Sequence, residues 1–498
     1  MIICLLLAQN ILQMIHIENY INGKLIKPTL NQYIDNIDPS RGEVYSQIPS
    51  STKEDVELAV DASKKAFKTW SNMPKEKRSD IMLKVADLIE ERMDEFVAAE
   101  SLDNGKPLSL AKAVDIPRAV SNFKFFATAI LHYASESHYM EGLGVNYTVR
   151  KPIGIVGCIS PWNLPLYLFT WKIAPALAAG NCVIAKPSEI TPMTAYLLSK
   201  ACLDAGMPAG VLNIVHGLGQ HVGDAITRHK DITAISFTGG TQTGKTIAAI
   251  AAPMFKKLSL ELGGKNPNII FADCDFDKML STTLLSSFAN QGQICLCGSR
   301  IFVERPIYEK FKKAFVEKVS KTKVSYPTDK KAKLGAVVSK SHMEKVLSYI
   351  ELAKTEGGTV LTGGTQVKLE GEYANGFYLR PTVIEGLSFD CRTNQEEIFG
   401  PVVTITPFDT EEEVLMMANS TQYGLSATIW TENLTRAHTI ADEVHAGIVW
   451  INSWLVRDLR TPFGGVKASG VGREGGFEAL HFFTEPKNIF VKLGDAGH

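Results

Sequence analysis

Strands and helices alternate between residues 153 and 263, and this alternation constrains the fold more than any other feature. Ile153–Ile159, Cys182–Ala185 and Val211–Val215 are short apolar runs of the kind that form buried strands. The run Leu166–Ala179 has helical character, and a glycine follows it. With a further strand at Ile232–Phe237, the pattern predicts an α/β fold with a doubly wound parallel sheet. A ligand of such a sheet lies beyond the carboxyl ends of its strands.

A second alternating series begins at Lys265 and runs to about Gly470. We therefore place a domain boundary near Gly263 and Gly264. The N-terminal part reads as extended over residues 16–50, then helical over residues 52–98 and again over residues 108–132. The last apolar run, Lys487–Lys492, predicts a lone strand that pairs with another segment or subunit.

Size and charge restrict the class of protein. A chain of 498 residues with 45% apolar and 21% charged residues is typical of a globular protein of two or three domains. A net charge of −1 offers no electrostatic case for binding nucleic acid or an anionic membrane. The eight cysteines show no framework spacing and no CxxC pair, so we predict a reducing, cytoplasmic location and no metal site.

The segment Met1–Ile15 is apolar, but it does not have the features of a signal peptide. No Lys or Arg precedes the apolar run, no A-x-A-like cleavage site follows it, and it is too short to span a bilayer. We interpret residues 1–14 as an N-terminal extension.

The stretch FANQGQICLCGSR at residues 288–300 presents two cysteines after a loop-like NQGQ. A thiol placed there becomes a strong nucleophile once it is deprotonated, so it needs a basic or electropositive neighbour. The alternative is that Cys295 and Cys297 are both small buried hydrophobic residues.

Polar residues follow the predicted strands where those strands end. Asn163, between Pro161 and Pro165, is placed to donate a hydrogen bond to a developing oxyanion, although asparagine is also an ordinary turn residue. Glu261 ends another strand beside two glycines and is a candidate general base, the alternative being a surface glutamate. Lys186 and Glu189 suit the hydroxyls of a ribose, and an acid there favours NAD over NADP.

The run FTGGTQTGKT at residues 237–246 follows a strand and opens a helix, which is typical of a phosphate site. Residues 239–246 also satisfy the P-loop pattern G-x-x-x-x-G-K-[ST], so an ATPase is an alternative. A P-loop usually opens a nucleotide domain, whereas this run comes after several strands. An ATPase would also leave the other polar motifs unexplained.

Seven motifs occur in one order along the chain: PWNLP, KPSE, FTGG, ELGGK, NQGQIC, EEIFGP and PFGGVKASGVGRE. Together they resemble the aldehyde dehydrogenase superfamily over roughly residues 17–494. The resemblance implies three parts. They are an NAD-binding domain (15–132 and 153–263), an α/β catalytic domain (264–470) and a β-hairpin oligomerisation segment (133–152 and 480–494) of a homodimer or homotetramer.

The resemblance also implies roles for residues. Cys295 aligns with the nucleophile, Glu261 with the general base, and Asn163 with the oxyanion donor, which the backbone N–H of Cys295 would assist. The positions that align with NAD contacts are Lys186, Glu189, Gly219, Gly239, Gly240, Glu397 and Phe399. Cys297 has no essential counterpart, and we assign it to packing. Because members that transfer the acyl group to coenzyme A lack the glutamate, Glu261 indicates hydrolysis. A non-catalytic structural relative is disfavoured because nucleophile and base are both present.

Two arginines indicate the substrate class. Arg118 and Arg457 align with tunnel positions that are apolar in the fatty-aldehyde and acetaldehyde enzymes of the family. Buried guanidinium groups need an anion, and they bind carboxylates bidentately. The expected substrate is therefore an acidic semialdehyde, and the sequence resembles the 2-aminomuconic and 2-hydroxymuconic semialdehyde dehydrogenases. The alternative is that the arginines pair with Asp115 or Asp458. Arg460 is expected to face elsewhere.

Overall fold

The computed structural model of the protein describes residues 14–493, so the predicted extension lies outside the described residues apart from Met14. Its largest sheet has eight strands. In spatial order these are Gly470–Val471, Lys257–Glu261, Ile232–Thr238, Ile155–Ile159, Cys182–Lys186, Leu212–Ile214, Asn19–Ile21 and Lys24–Ile26. The five central strands are parallel. Every residue of Ile155–Ile159 and of Cys182–Lys186 is buried, as expected for strands covered on both faces.

Helices cover both faces of this sheet. They are Lys53–Ser71, Lys75–Glu91, Met93–Asn104, Ile116–Ala129, Pro165–Ala178, Met193–Asp204, Asp224–Arg228 and Thr241–Ala251. The single helical stretch predicted over residues 52–98 is thus three helices, and Pro74 precedes the second. The predicted helix at residues 108–132 contains a π-helical turn at Ala111–Asp115. Pro117 follows this turn in the first turn of the next helix, where it has no amide hydrogen to donate.

A second sheet of seven strands follows, as the second alternating series predicts. In spatial order its strands are Thr359–Thr362, Thr382–Glu385, Val402–Phe408, Arg300–Glu304, Pro267–Ile270, Ser426–Trp430 and Ile448–Ile451. All but the first are parallel to their neighbours. The helices of this half are Phe276–Phe288, Arg305–Ser320, Lys340–Thr355, Arg392–Gln395, Glu411–Asn419 and Leu434–Glu443. The last helix, Gly476–Phe482, packs against Pro165–Ala178 of the first half. The α/β class is confirmed, while the domain limits remain a prediction.

Three smaller sheets of two or three strands complete the described fold outside the hairpin. They join Ile15–His16, Glu43–Pro49 and Tyr33–Asp38; Gln366–Val367 and Tyr378–Leu379; and Tyr423–Gly424 and Val466–Lys467. Across residues 14–493, none of the helices has the length and apolar character needed to cross a membrane.

A three-stranded sheet is formed by the hairpin Ser137–Met140 and Gly144–Pro152 together with Thr484–Lys492. The C-terminal strand pairs antiparallel with the second hairpin strand along its whole length, from Thr484 opposite Pro152 to Lys492 opposite Gly144. The predicted pairing of a C-terminal strand with another segment is confirmed, although the strand begins three residues earlier than expected.

The register of the large sheet aligns the ends of four neighbouring strands. Thr238 lies opposite Glu261, Phe237 opposite Ile159, and Ile159 opposite Lys186. The polar residues that follow these strands therefore share one edge of the sheet, as the sequence predicts.

Candidate active site

The segment that carries Cys295 follows the helix Phe276–Phe288 through a tight turn. Asn290 and Gln291 adopt the left-handed conformation there, with φ of 51° and 60°. This conformation costs a residue other than glycine about 1–2 kcal/mol, so surrounding contacts must hold it. The side chain of Gln291 donates to the Ala336 carbonyl at 3.1 Å and accepts from the Gly335 amide at 3.2 Å.

Hydrogen bonds from two other segments hold the cysteine backbone. The Asn266 amide donates to the carbonyls of Cys295 at 2.7 Å and Cys297 at 2.9 Å. The indole of Trp454 donates to the Leu296 carbonyl at 3.0 Å. Cys297 is buried in the apolar core, while Cys295 is partly exposed.

Cys295 lies between two cavities. The first has a volume of about 360 Å³, and we call it the arginine cavity because Arg118 and Arg457 line it. Its other lining residues include Cys295, Glu261, Tyr167 and Glu474. The second, which we call the glycine cavity, has a volume of about 250 Å³. Its lining residues include Cys295, Asn163, Gly239, Gly240, Glu397 and Phe399. The structure thus brings the three predicted catalytic residues to adjoining cavities.

Glu261 is buried, and neither carboxylate oxygen has a hydrogen-bond partner within residues 14–493. Gly464 leaves room for it, since a Cβ there would lie 2.8 Å from Oε1. Burial first, and then the negative charge of Glu474, raise the pKa of Glu261 well above its usual range. Glu474 itself accepts hydrogen bonds from Lys172 at 2.6 Å and from Ser236 at 3.1 Å. The surface-glutamate alternative is therefore wrong, because Glu261 is buried inside the cavity.

The side chain of Asn163 donates one hydrogen bond, to the Gln293 carbonyl at 3.0 Å. An amide group carries two hydrogens, so one remains for a ligand in the glycine cavity. The Asn163 carbonyl accepts from Asn290 at 2.8 Å and from the fully buried Lys106 at 3.2 Å. Asn163 is thus held from both its side chain and its backbone.

The residues predicted to contact NAD fit that group. Lys186 and Glu189 pair at 2.9 Å. Although burial acts to raise the pKa of Glu189, Lys186 and backbone amides, including that of Gly219, lower it on balance. Gly240 precedes the helix Thr241–Ala251, and a Cβ there would meet no atom within 4 Å, which leaves space for a phosphate group.

Unpartnered hydroxyl groups lie at the same sheet edge. The side-chain oxygens of Ser160, Thr238 and Thr241 are buried without a protein partner among the described residues. On the other side of the glycine cavity, Glu397 accepts from the Gly264 amide at 2.9 Å, and the ring of Phe399 packs edge-on against Trp162. Buried polar groups without partners are costly, so they favour a polar ligand in this place.

The P-loop alternative is wrong. The helix begins at Thr241, so residues that would have to wrap a phosphate are already helical. Gly244, the second glycine of the pattern, packs inside that helix, where a Cβ would lie 2.4 Å from Leu262.

The arginines do not pair with the predicted protein carboxylates. Asp115 accepts from Lys106 at 2.8 Å, and Asp458 pairs with the exposed Arg460 at 2.6 Å. Within residues 14–493, no carboxylate lies within 4 Å of the guanidinium nitrogens of Arg118 or Arg457. Two partly buried cations without an ion pair within 4 Å therefore line the cavity that holds Cys295. Arg460 is exposed and does not line the arginine cavity, as expected.

Three further residues of the site were not predicted from the sequence: Tyr167, Lys172 and Glu474. Glu474 closes the motif PFGGVKASGVGRE, and Tyr167 lies two residues after PWNLP, so both positions carried a signal. Lys172 carried none, because a lysine inside an apolar helix looks like a solvent-facing residue.

The comparison with known proteins agrees with the geometry of the site. A profile of the aldehyde dehydrogenase family matches residues 26–489. The chain belongs to this family. It is 51% identical to the 2-aminomuconic semialdehyde dehydrogenase of Mus musculus, over 96% of this chain and 99% of the relative. It is 48% identical to the 2-hydroxymuconic semialdehyde dehydrogenase of Pseudomonas sp. CF600, with the same coverage.

Solved structures agree with this assignment. The NAD+ complex of an aldehyde dehydrogenase from Bacillus cereus matches with a TM-score of 0.94 at 38% identity, covering 98% of each chain. The protein is an NAD-dependent aldehyde dehydrogenase, and its substrates are small aldehydes. The resemblance found in the seven motifs is confirmed.

Proposed function

We propose that this aldehyde dehydrogenase oxidises 2-aminomuconate 6-semialdehyde, an acidic semialdehyde of the kynurenine pathway of tryptophan degradation, to its carboxylic acid. The observation that carries the proposal is the pair Arg118 and Arg457, which form no ion pair within 4 Å among residues 14–493 and line the cavity that contains Cys295. A partly buried guanidinium without an ion pair is costly, so the cavity favours a ligand that brings its own carboxylate. The relatives named for aminomuconic and hydroxymuconic semialdehydes support the same class.

The nucleophile in this proposal is the Cys295 thiolate, which attacks the aldehyde carbon to form a thiohemiacetal. Burial, and then the charges of Glu397 and Glu261, raise the pKa of the thiol, so a base must take its proton. Glu261 lines the same cavity, and its raised pKa makes its carboxylate a stronger proton acceptor. The Asn163 amide and the Cys295 backbone N–H stabilise the oxyanion.

NAD held in the glycine cavity would supply the hydride acceptor for the oxidation of the substrate carbon. The carbon is then held on Cys295 as a thioester. Glu261 removes a proton from the water that attacks this thioester, the C–S bond breaks, and the carboxylic acid leaves. Lys186, Glu189 and Gly219, with Gly239 and Gly240, would hold the adenosine and phosphate groups, while Glu397 and Phe399 would face the nicotinamide.

Arg457→Ala tests the proposed substrate class. Loss of a bidentate, charge-assisted contact costs about 1.5–3 kcal/mol, so KM for the muconic semialdehyde should rise about 10–100-fold. KM for a neutral aldehyde of similar length should change less than about threefold. Steady-state NADH production measures both.

Arg460→Ala is the matched control, because Arg460 is exposed and paired with Asp458. Equal effects of Arg457→Ala on acidic and neutral aldehydes would contradict carboxylate recognition. The same assay compares the two muconic substrates. A higher kcat/KM for 2-hydroxymuconic than for 2-aminomuconic semialdehyde would move the assignment to aromatic meta-cleavage, as the Pseudomonas relative suggests.

A further inference from the structure

We propose that Tyr167 is a specificity-determining residue whose hydroxyl group joins Arg457 in a single site for the substrate's carboxylate, at the end of the molecule opposite the aldehyde. This inference rests on the proposed function, because it assumes that the arginine cavity takes an acidic semialdehyde. It adds a neutral donor to what would otherwise be a site of two cations.

The contact between Tyr167 and Arg457 is direct. Tyr167 lies in the first turn of the helix Pro165–Ala178, is 6% exposed, and lines the arginine cavity. Nη1 of Arg457 donates to its hydroxyl oxygen at 2.8 Å. The hydroxyl therefore acts as acceptor in this bond, and its own hydrogen has no acceptor within residues 14–493. A hydroxyl carries one donor as well as its acceptor sites, so that hydrogen is available to a ligand in the cavity.

Aromatic rings fix the direction of the Arg457 guanidinium. Its central carbon lies 3.8 Å from the ring centroid of Phe463 and 5.2 Å from that of Trp171. Guanidinium groups stack on aromatic faces, and a stacked group keeps its planar edge for hydrogen bonds. With one donor bound to Tyr167, the remaining donors of Arg457 have a defined orientation before any substrate arrives.

The ring of Tyr167 also supports the second arginine. The central carbon of the Arg118 guanidinium lies 5.5 Å from its centroid. Tyr167 thus contacts Arg118 through its ring and Arg457 through its hydroxyl. Replacing the hydroxyl alone leaves the contact with Arg118 in place, which separates the two contributions.

The consequence for specificity is that the hydroxyl helps acidic substrates alone. When a carboxylate binds Arg457, the phenol hydrogen is free to donate to it, and a hydrogen bond to a charged group is stronger than one to a neutral group. A neutral aldehyde offers no such acceptor. The Tyr167 hydroxyl takes part in no bond-forming step of the proposed reaction. Its removal should therefore change KM and not kcat.

The test is Tyr167→Phe, with kcat and KM measured for the muconic semialdehyde and for a neutral aldehyde of similar length. KM for the acidic substrate should rise about 5–20-fold, kcat should stay within about twofold, and the neutral aldehyde should show no change. The inhibition constant of muconate, a non-reacting dicarboxylate, should rise by the same factor as KM. Tyr326→Phe, at an exposed tyrosine, is the control.

A double variant separates this inference from the proposed function. If Tyr167 acts through the same carboxylate as Arg457, adding Tyr167→Phe to Arg457→Ala should change KM less than about twofold further. Equal KM changes for both aldehydes, a loss confined to kcat, or full additivity would overturn the role of Tyr167. If Arg457→Ala is selective and Tyr167→Phe is not, only this inference fails. If neither is selective, the proposed substrate class fails.

Discussion

At the scale of single residues, burial determines the protonation of the two groups proposed to react. The pKa of Cys295 is raised by burial and by Glu397 and Glu261, and it is lowered by Arg457. The pKa of Glu261 is raised by burial and by Glu474. Both proposed roles require the deprotonated form, and both groups lie above their usual ranges. Activity should therefore increase as pH rises from neutral into the alkaline range.

Two substitutions should shift the thiol pKa in opposite directions. Glu261→Gln removes a negative charge beside Cys295 and should move the pH midpoint of its alkylation by iodoacetamide down. Arg457→Ala removes a positive charge and should move the midpoint up. Alkylation rates measured across the alkaline range give the midpoints, with Arg460→Ala as the unaffected control. Shifts of the same sign in both variants would contradict the electrostatic account of the thiol.

At the scale of secondary structure, the strand ends were predictable and the irregular turns were not. Asn163, Lys186 and Glu261 follow apolar runs whose carboxyl ends had to share an edge once the sheet was parallel. The left-handed turn at Asn290 and Gln291 depends on contacts from residues 335 and 336, which no local pattern shows. The same holds for Lys172, whose partner Glu474 is 302 positions away.

The residues Lys186 and Glu189, which we propose to contact the ribose of NAD, yield a prediction about the choice between NAD and NADP. Glu189 pairs with Lys186 and bears a lowered pKa, so it is negatively charged at neutral pH and should repel a 2′-phosphate. Glu189→Gln removes the repulsion and leaves Lys186, so KM for NADP should fall about tenfold while KM for NAD changes less. Steady-state assays with both cofactors measure this.

Glu478→Gln is a suitable control for the cofactor experiment, because Glu478 is half exposed on another helix. An unchanged KM for NADP in the Glu189→Gln variant would show that this carboxylate does not set the preference for NAD.

At the scale of the whole molecule, the three-stranded hairpin sheet carries a prediction about assembly. Apolar side chains remain exposed on it, including Tyr139, Leu143, Phe490 and Val491. Exposed apolar residues grouped in this way are typical of interaction sites, which supports the predicted homodimer or homotetramer. Phe490→Glu should shift the protein to a smaller sedimenting species, since a charge in an apolar interface is costly.

Leu434→Glu is the control for assembly, because Leu434 is 73% exposed on a helix of the other half. A monomeric wild-type protein, or identical sedimentation of Phe490→Glu and wild type, would contradict the assembly role of the hairpin sheet.

The most direct test of the central claim is the mass of the Glu261→Gln protein after mixing with NAD and freshly generated muconic semialdehyde. At alkaline pH the Cys295 thiol ionises without Glu261, but this variant still lacks the base that releases the acid. The account therefore predicts one added acyl group per chain at alkaline pH, mapped to the peptide that contains Cys295. The double variant with Cys295→Ser should carry none. NADH formation without an adduct, or an adduct on any other residue, would contradict the account.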